Sequence, residues 1–177
     1  MNDPRPPAQE RILAAATEIT KEQGPAHMSL EAVAARAGIS KGGLLYHFPN
    51  KAKLLEAIVA HHVDLMRQAI AEAAERDSKR ANCFARAYVE AFREECKDEP
   101  PPAGILAAIA ENPQLIDPIR RFHKEIAERL RQECTDVRPA LTAFLAIEGI
   151  RSLDIFDAQV LTAGERETLI DYLKEMM

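Results

Sequence analysis

Three residues of the helix-capping type, Ser29, Ser40 and Asn50, stand ten or eleven positions apart, and the segments between them are punctuated by Gly38 and Pro49. Ser and Asn side chains accept hydrogen bonds from the free amides of a first helical turn. Gly supplies the left-handed residue that closes a helix, and Pro prevents its continuation. This spacing leaves room for two helices of about two turns each, "LEAVAARA" and "KGGLLYH". A turn of three or four residues around Gly38 and Ile39 joins them. Two short helices about a tight Gly-containing turn are the sequence form of a helix-turn-helix.

The flanking sequence supplies more helices. Over 8–23, Ile12, Leu13, Ala16 and Ile19 recur at helical spacing, with Gly24 and Pro25 as a stop. "KAKLLEAIVAHHVDLMRQAIAEAAER" predicts a long helix from Asn50 to about residue 76, and "ANCFARAYVEAFREEC" carries Phe84, Tyr88, Val89 and Phe92 on one stripe. After "DEPPPAG" a short apolar helix, "ILAAIA", is cut at Asn112-Pro113. Leu115, Ile119, Phe122, Ile126 and Leu130 mark an amphipathic helix. "RPALTAFLAIEGIRSLDIF" is apolar on more than one face, the mark of a helix buried on several sides. Thr162 and Glu165 match a capping box opening the last helix. With β-branched runs scarce and no Trp among 177 residues, the expectation is an all-α chain of about nine helices. It divides into a helix-turn-helix head over 1–52 and a helical body over 53–177.

Phase the second helix of the motif at about 100° per residue. Leu44 and Phe48 then share the buried edge, and Gly42 and Tyr46 point the other way. The outward face thus begins without a side chain and continues with a tyrosine. Gly costs helix stability relative to Ala, so its use suggests that something approaches the backbone closely. Charge agrees. The 24 residues between Glu31 and Glu56 hold no acid, although 28 of the 177 residues are acidic. The same stretch holds Arg36, Lys41, Lys51, Lys53 and His47. Residues 1–57 carry 7 basic and 6 acidic side chains, against a whole-chain net charge of -5. A basic patch on a helix-turn-helix in an acidic chain is the footprint of a DNA reader.

These residues carry a resemblance. The run "RILAAATEITKEQGPAHMSLEAVAARAGISKGGLLYHFPNKAKLLEAI" is similar to the DNA-binding head of the TetR/AcrR family of bacterial transcription regulators. The features that match are "AGISKG", the aromatic-His-Phe ending and the Asn-Lys-x-x-Leu that follows. The resemblance implies that Lys41 and Tyr46 touch DNA from the recognition helix, that His47 and Lys51 hold phosphates, and that Ser29 and Ser40 do so with hydroxyls and amides. Gly42 would let the helix sit close in the major groove. Gly43 and Leu45 depart from residues common in the family, and Leu45 is suited to a thymine methyl. Ser29 and Ser40 serve equally well as helix caps.

For the body, the resemblance implies a dimer face and a small-molecule pocket. Leu145, Ile150, Leu153, Leu169, Tyr172 and Leu173 on the last two helices are the candidate dimer residues. Met66, Phe84, Tyr88, Phe92, Phe122 and His123 are the candidate pocket, with plain core as the alternative for each. Glu148, Arg151 and Asp154 interrupt the apolar helix and suit either a polar ligand or a salt bridge between subunits. No metal or catalytic constellation stands out. His61 and His62 are adjacent, so their rings diverge, and Cys83, Cys96 and Cys134 lack zinc spacing. No cofactor is expected beyond an unidentified small-molecule effector. "MNDPRPPAQE" has no signal-peptide character and no run is long and apolar enough to span a membrane, which points to the cytoplasm. The expected activity is that of a homodimeric repressor bound to a palindromic operator on double-stranded DNA and released by its effector. An activator or dual regulator of the same fold, and a helical partner-binding module without DNA binding, are the alternatives.

Overall fold

A computed structural model describes residues 6–24, 27–96, 109, 112–156, 158 and 160–177. Eight α-helices and no strand occur among them. They are α1 (Ala8–Gln23), α2 (Leu30–Ala37), α3 (Lys41–His47), α4 (Lys51–Arg76), α5 (Cys83–Glu95), α6 (Asp117–Glu133), α7 (Val137–Ile155) and α8 (Ala163–Glu175). A 3₁₀ turn, Pro113–Ile116, leads into α6. The short apolar helix expected over 105–110 lies outside the described residues apart from Ile109.

The chain divides into two compact units, Met1–His62 with Pro102–Pro118 and Val63–Pro101 with Ile119–Met177, each through its described residues. In the first unit α1 packs on α2 and α2 on α3. Its core gathers Ile12, Leu13, Ala16 and Ile19 of α1, Val33 and Ala34 of α2, Leu44 and Phe48 around α3, and Leu54 of α4. The capping residues act as the sequence predicts. Ser29 Oγ accepts from Ala32 N at 3.1 Å, Ser40 Oγ from Gly43 N at 3.0 Å, and Asn50 Oδ1 from Lys53 N at 2.9 Å. Gly38 closes α2 at φ 66°, with its N–H directed at Ala34 O and Ala35 O.

In the second unit, α5 is enclosed by α7 and α8. Phe84, Tyr88, Val89 and Phe92 of α5 meet Phe122, Ile126 and Leu130 of α6, Phe144, Ile147 and Ile150 of α7, and Ile170 and Leu173 of α8. The capping box of α8 forms in both directions: Thr162 Oγ1 accepts from Glu165 N at 3.2 Å, and Glu165 Oε2 accepts from Thr162 N at 2.8 Å.

A Cβ built on Gly38 meets nothing within 4 Å, so the need for glycine there is one of backbone conformation, not space. Gly38→Ala should therefore cost the head about 1 kcal/mol, read as a lower urea midpoint with an unchanged slope. An unaltered midpoint would mean that the turn relaxes.

Candidate functional site

The seven-residue α3 has a sharply divided surface. Leu44 is fully buried and Phe48 nearly so, whereas Tyr46 is 87% exposed and Leu45 stands partly out. Tyr46 packs edge-on against His47, ring centroids 5.3 Å apart, and His47 in turn lies against Phe48. Tyr46 thus has its ring supported on one side and its hydroxyl end in solvent. The two glycines prove unlike. A Cβ on Gly42 would have Ser40 Oγ at 4.0 Å as its nearest neighbour, which is open space. One on Gly43 would stand 3.3 Å from the same oxygen, the one that accepts from Gly43 N. Gly43 has a reason inside the fold: it fits under the capping serine. Gly42 has none, and its helix-propensity cost is unexplained by the free head.

The basic stretch is less free than its sequence suggests. Arg36 donates to both carboxylate oxygens of Glu22, at 2.8 and 2.9 Å, and so clamps the end of α2 to α1. Lys41 Nζ lies 2.5 Å from Glu31 Oε1, and Lys53 Nζ 2.6 Å from Glu56 Oε2. Acids from outside 32–55 thus meet three of its cations. The hydrogen bond from Arg36 holds the Glu22 carboxyl below its ordinary range, and that from Lys41 does the same for Glu31. Arg36 is a structural residue, and nothing in its local sequence distinguishes it from a phosphate binder.

The candidate pocket residues separate. Phe84, Tyr88, Phe92 and Phe122 are buried in the core of the second unit and Met66 packs against it. His123 instead reaches a surface groove of about 360 Å³ between α6 and α7, lined by Lys124, Ala127, Arg131, Phe144, Leu145 and Glu148 among others. Behind the groove lies a polar network that the sequence suggested only as scattered charges. Glu148 accepts from the Tyr88 hydroxyl at 2.5 Å and from Arg151 at 2.5 Å, and pairs with His123 Nε2 at 2.9 Å. Arg151 also reaches Glu95 at 2.6 Å and lies over the Phe92 ring. Asp154 takes both ends of the Arg166 guanidinium. Each of these acids and arginines thus has a partner within its own subunit. Burial alone would raise the Glu148 carboxyl, but His123, Arg151 and Tyr88 more than offset it and hold it at about 2.

The candidate dimer residues separate. Ile150 and Leu173 are buried in the subunit's own core, so they have no face to offer a partner, and Leu153 and Leu169 are half-buried. Leu145 is 66% exposed and Tyr172 is exposed too. On α7 the exposed positions after Arg138 are Thr142, Leu145, Gly149, Ser152 and then Phe156 at its end: an outward stripe without charge. Gly149, Ser152 and Phe156 were legible as a three-and-four repeat of small or apolar residues, but the apolar character of α7 on its other faces hides it. Among the described residues no cluster of three or more His, Cys, Asp or Glu is placed to hold a metal, and no helix is long and apolar enough to cross a membrane.

Comparison with known proteins adds to this geometry. The family profile described as "Bacterial regulatory proteins, tetR family" matches residues 12–58, and that described as "Tetracyclin repressor-like, C-terminal domain" matches residues 82–177. The transcriptional activator FasR of Mycolicibacterium smegmatis is 33% identical over 89 residues, a match covering 50% of this chain and 40% of FasR. A TetR-family transcriptional regulator from Rhodococcus sp. superposes with a TM-score of 0.69 at 23% identity, covering 96% of this chain and 98% of that one. The multidrug binding protein EbrR, solved with imidazole, gives 0.67 at 18% identity, covering 98% and 96%. These two structures share the fold.

The Glu148 network gives the body an acid sensitivity. A carboxyl held below its unfolded value stabilises the fold above about pH 4.5, and that contribution is lost as pH falls towards about 2. Glu148→Gln should cost up to about 3 kcal/mol at pH 7 and much less at pH 3. Urea unfolding of both proteins at the two pH values measures the difference. Equal losses at both would show that the carboxyl's charge is not what the network uses.

Proposed function

The chain belongs to the tetR family of bacterial regulatory proteins, which are transcription regulators and not enzymes, and we propose that it is a repressor that holds an inverted-repeat operator as a homodimer. The observation that carries this reading is the outer face of α3, where Tyr46 stands in solvent beside the open backbone of Gly42. On this reading α3 enters the major groove with Gly42 against the DNA, Tyr46 and Lys41 reach the bases and backbone, and Leu45 meets a thymine methyl. His47 and Lys51 hold phosphates, as do Ser29 and Ser40 beyond their capping bonds. Gly43 belongs to the surface through the cap that it permits.

The uncharged stripe on α7, with Tyr172 of α8, supports the dimer. A monomer gains nothing by presenting Leu145 and Phe156 to water, and small residues such as Gly149 and Ser152 let a partner helix approach closely. The groove beside His123 is the proposed way in for a small-molecule effector. EbrR is named for binding drugs. An effector here releases DNA only by binding the DNA-free conformation more tightly than the bound one. The chain works in the cytoplasm, where its DNA is. The matched part of FasR is 40% of that protein, and its name favours a second reading, activation. The two separate in a purified transcription assay, where a repressor lowers the yield from its operator promoter and an activator raises it.

The test of the DNA-reading face is a contrast between variants. Gly42→Leu should keep or slightly raise the melting temperature, since Leu is the better helix former, yet weaken operator binding at least about tenfold, or 1.4 kcal/mol. Tyr46→Ala should lower the ratio of operator to random-DNA affinity. Lys51→Ala should weaken both about equally. Fluorescence anisotropy at one fixed salt concentration checks all three. Normal operator binding by Gly42→Leu would remove α3 from the groove.

A further inference from the structure

We propose that Glu31 is a built-in counter-ion of the DNA-reading surface, holding Lys41 while the head is free and yielding it to a phosphate when the head meets DNA. The inference rests on the DNA-binding reading above and adds a residue to it. Lys41 Nζ and Glu31 Oε1 are 2.5 Å apart. The two residues belong to different helices, α2 and α3, so the pair depends on the turn between them. Lys53 and Glu56, by contrast, are neighbours on α4 three positions apart. Both side chains of the Lys41–Glu31 pair are more than half exposed, 56% and 63%, so the bond can open into solvent without uncovering core. The hydrogen bond from Lys41 holds the Glu31 carboxyl below its ordinary range.

An ammonium has three donors but one charge. A phosphate that reaches Lys41 meets an anion already there. Either Glu31 swings away or the phosphate is held less tightly, and in both cases Lys41 contributes the difference between two anions instead of a whole ion pair. The ion balance follows. A lysine that neutralises a phosphate sets free a cation condensed on the DNA. A Glu31 carboxylate released at the same moment attracts a cation from solution, which offsets that gain. Glu31 should therefore lower affinity for DNA and flatten its salt dependence. Because every sequence carries the same phosphates, the effect should fall on operator and random DNA alike and leave their ratio to Tyr46.

The test uses the full chain with Glu31→Gln, Lys41→Gln and the double variant. A third single variant, Glu133→Gln, removes the same charge from α6. Binding to an operator duplex and to a random duplex is measured by anisotropy between about 50 and 200 mM salt. Glu31→Gln should bind both duplexes about two- to fivefold more tightly per head at the low end, with a salt slope steeper by up to about one per subunit. The gain should vanish in the Lys41→Gln background, and Glu133→Gln should show none. Glutamine keeps the length and helix propensity of glutamate, and thermal melts confirm that the head is intact. A gain that persists without Lys41 would overturn the proposal in favour of general charge repulsion. No gain from Glu31→Gln would overturn it as well. Absence of salt-dependent DNA binding by the wild-type chain would instead overturn the DNA-binding reading itself, and the proposal with it.

Discussion

The burial of Leu44 and Phe48 governs what the head presents to any partner. A helix of seven residues has little stability of its own, so α3 takes its rotation from the side chains it places in the core. With Leu44 in the core of the head, the geometry of a helix leaves Gly42 and Tyr46 facing out. Ser40 fixes where the helix begins, and the left-handed Gly38 fixes the angle at which the chain arrives. The exposed tyrosine is thus a consequence of packing on the opposite face, and its edge-on contact with His47 limits how it can turn.

Electrostatics in the head work at short range. The net charge of -5 says little about a surface where Arg36, Lys41 and Lys53 each have a particular neighbour. Arg36 is committed to Glu22 and ties two helices together, whereas Lys41 and Glu31 form an exposed pair that a competing anion can open. In the body the same residue types are drawn inward. Glu148 and Arg151 share Tyr88, His123 and Glu95 in a mesh where removing one member leaves another charge buried without its partner.

Much of this was legible in the sequence because caps and helix periodicity act locally. Ser29, Ser40, Asn50 and Thr162 cap as expected, and the phase of α3 follows from Leu44 and Phe48 alone. What the sequence hides is pairing at a distance. Nothing near Arg36 names Glu22, fourteen positions earlier, and nothing near Lys41 names Glu31 across the turn. The two glycines look alike as letters, yet one leaves space unfilled and the other fits beneath a serine hydroxyl. In the body, α7 is apolar on several faces, so Ile150, which is core, and Leu145, which is surface, cannot be separated until α5, α6 and α8 take their places around it.

The proposed dimer and the proposed reading helix meet in one consequence. Two heads related by a two-fold axis must place their recognition helices in major grooves on one face of the duplex, about 34–36 Å apart or at a multiple of a helical turn. Hydroxyl-radical footprinting of the wild-type chain, on a duplex selected from genomic fragments, measures this directly. The expected result is a set of protected patches related by a two-fold axis, with centres about one helical turn apart or at a multiple of that spacing, on one face of an inverted repeat. A single asymmetric patch, or uniform protection that never resolves at any salt concentration, would contradict it.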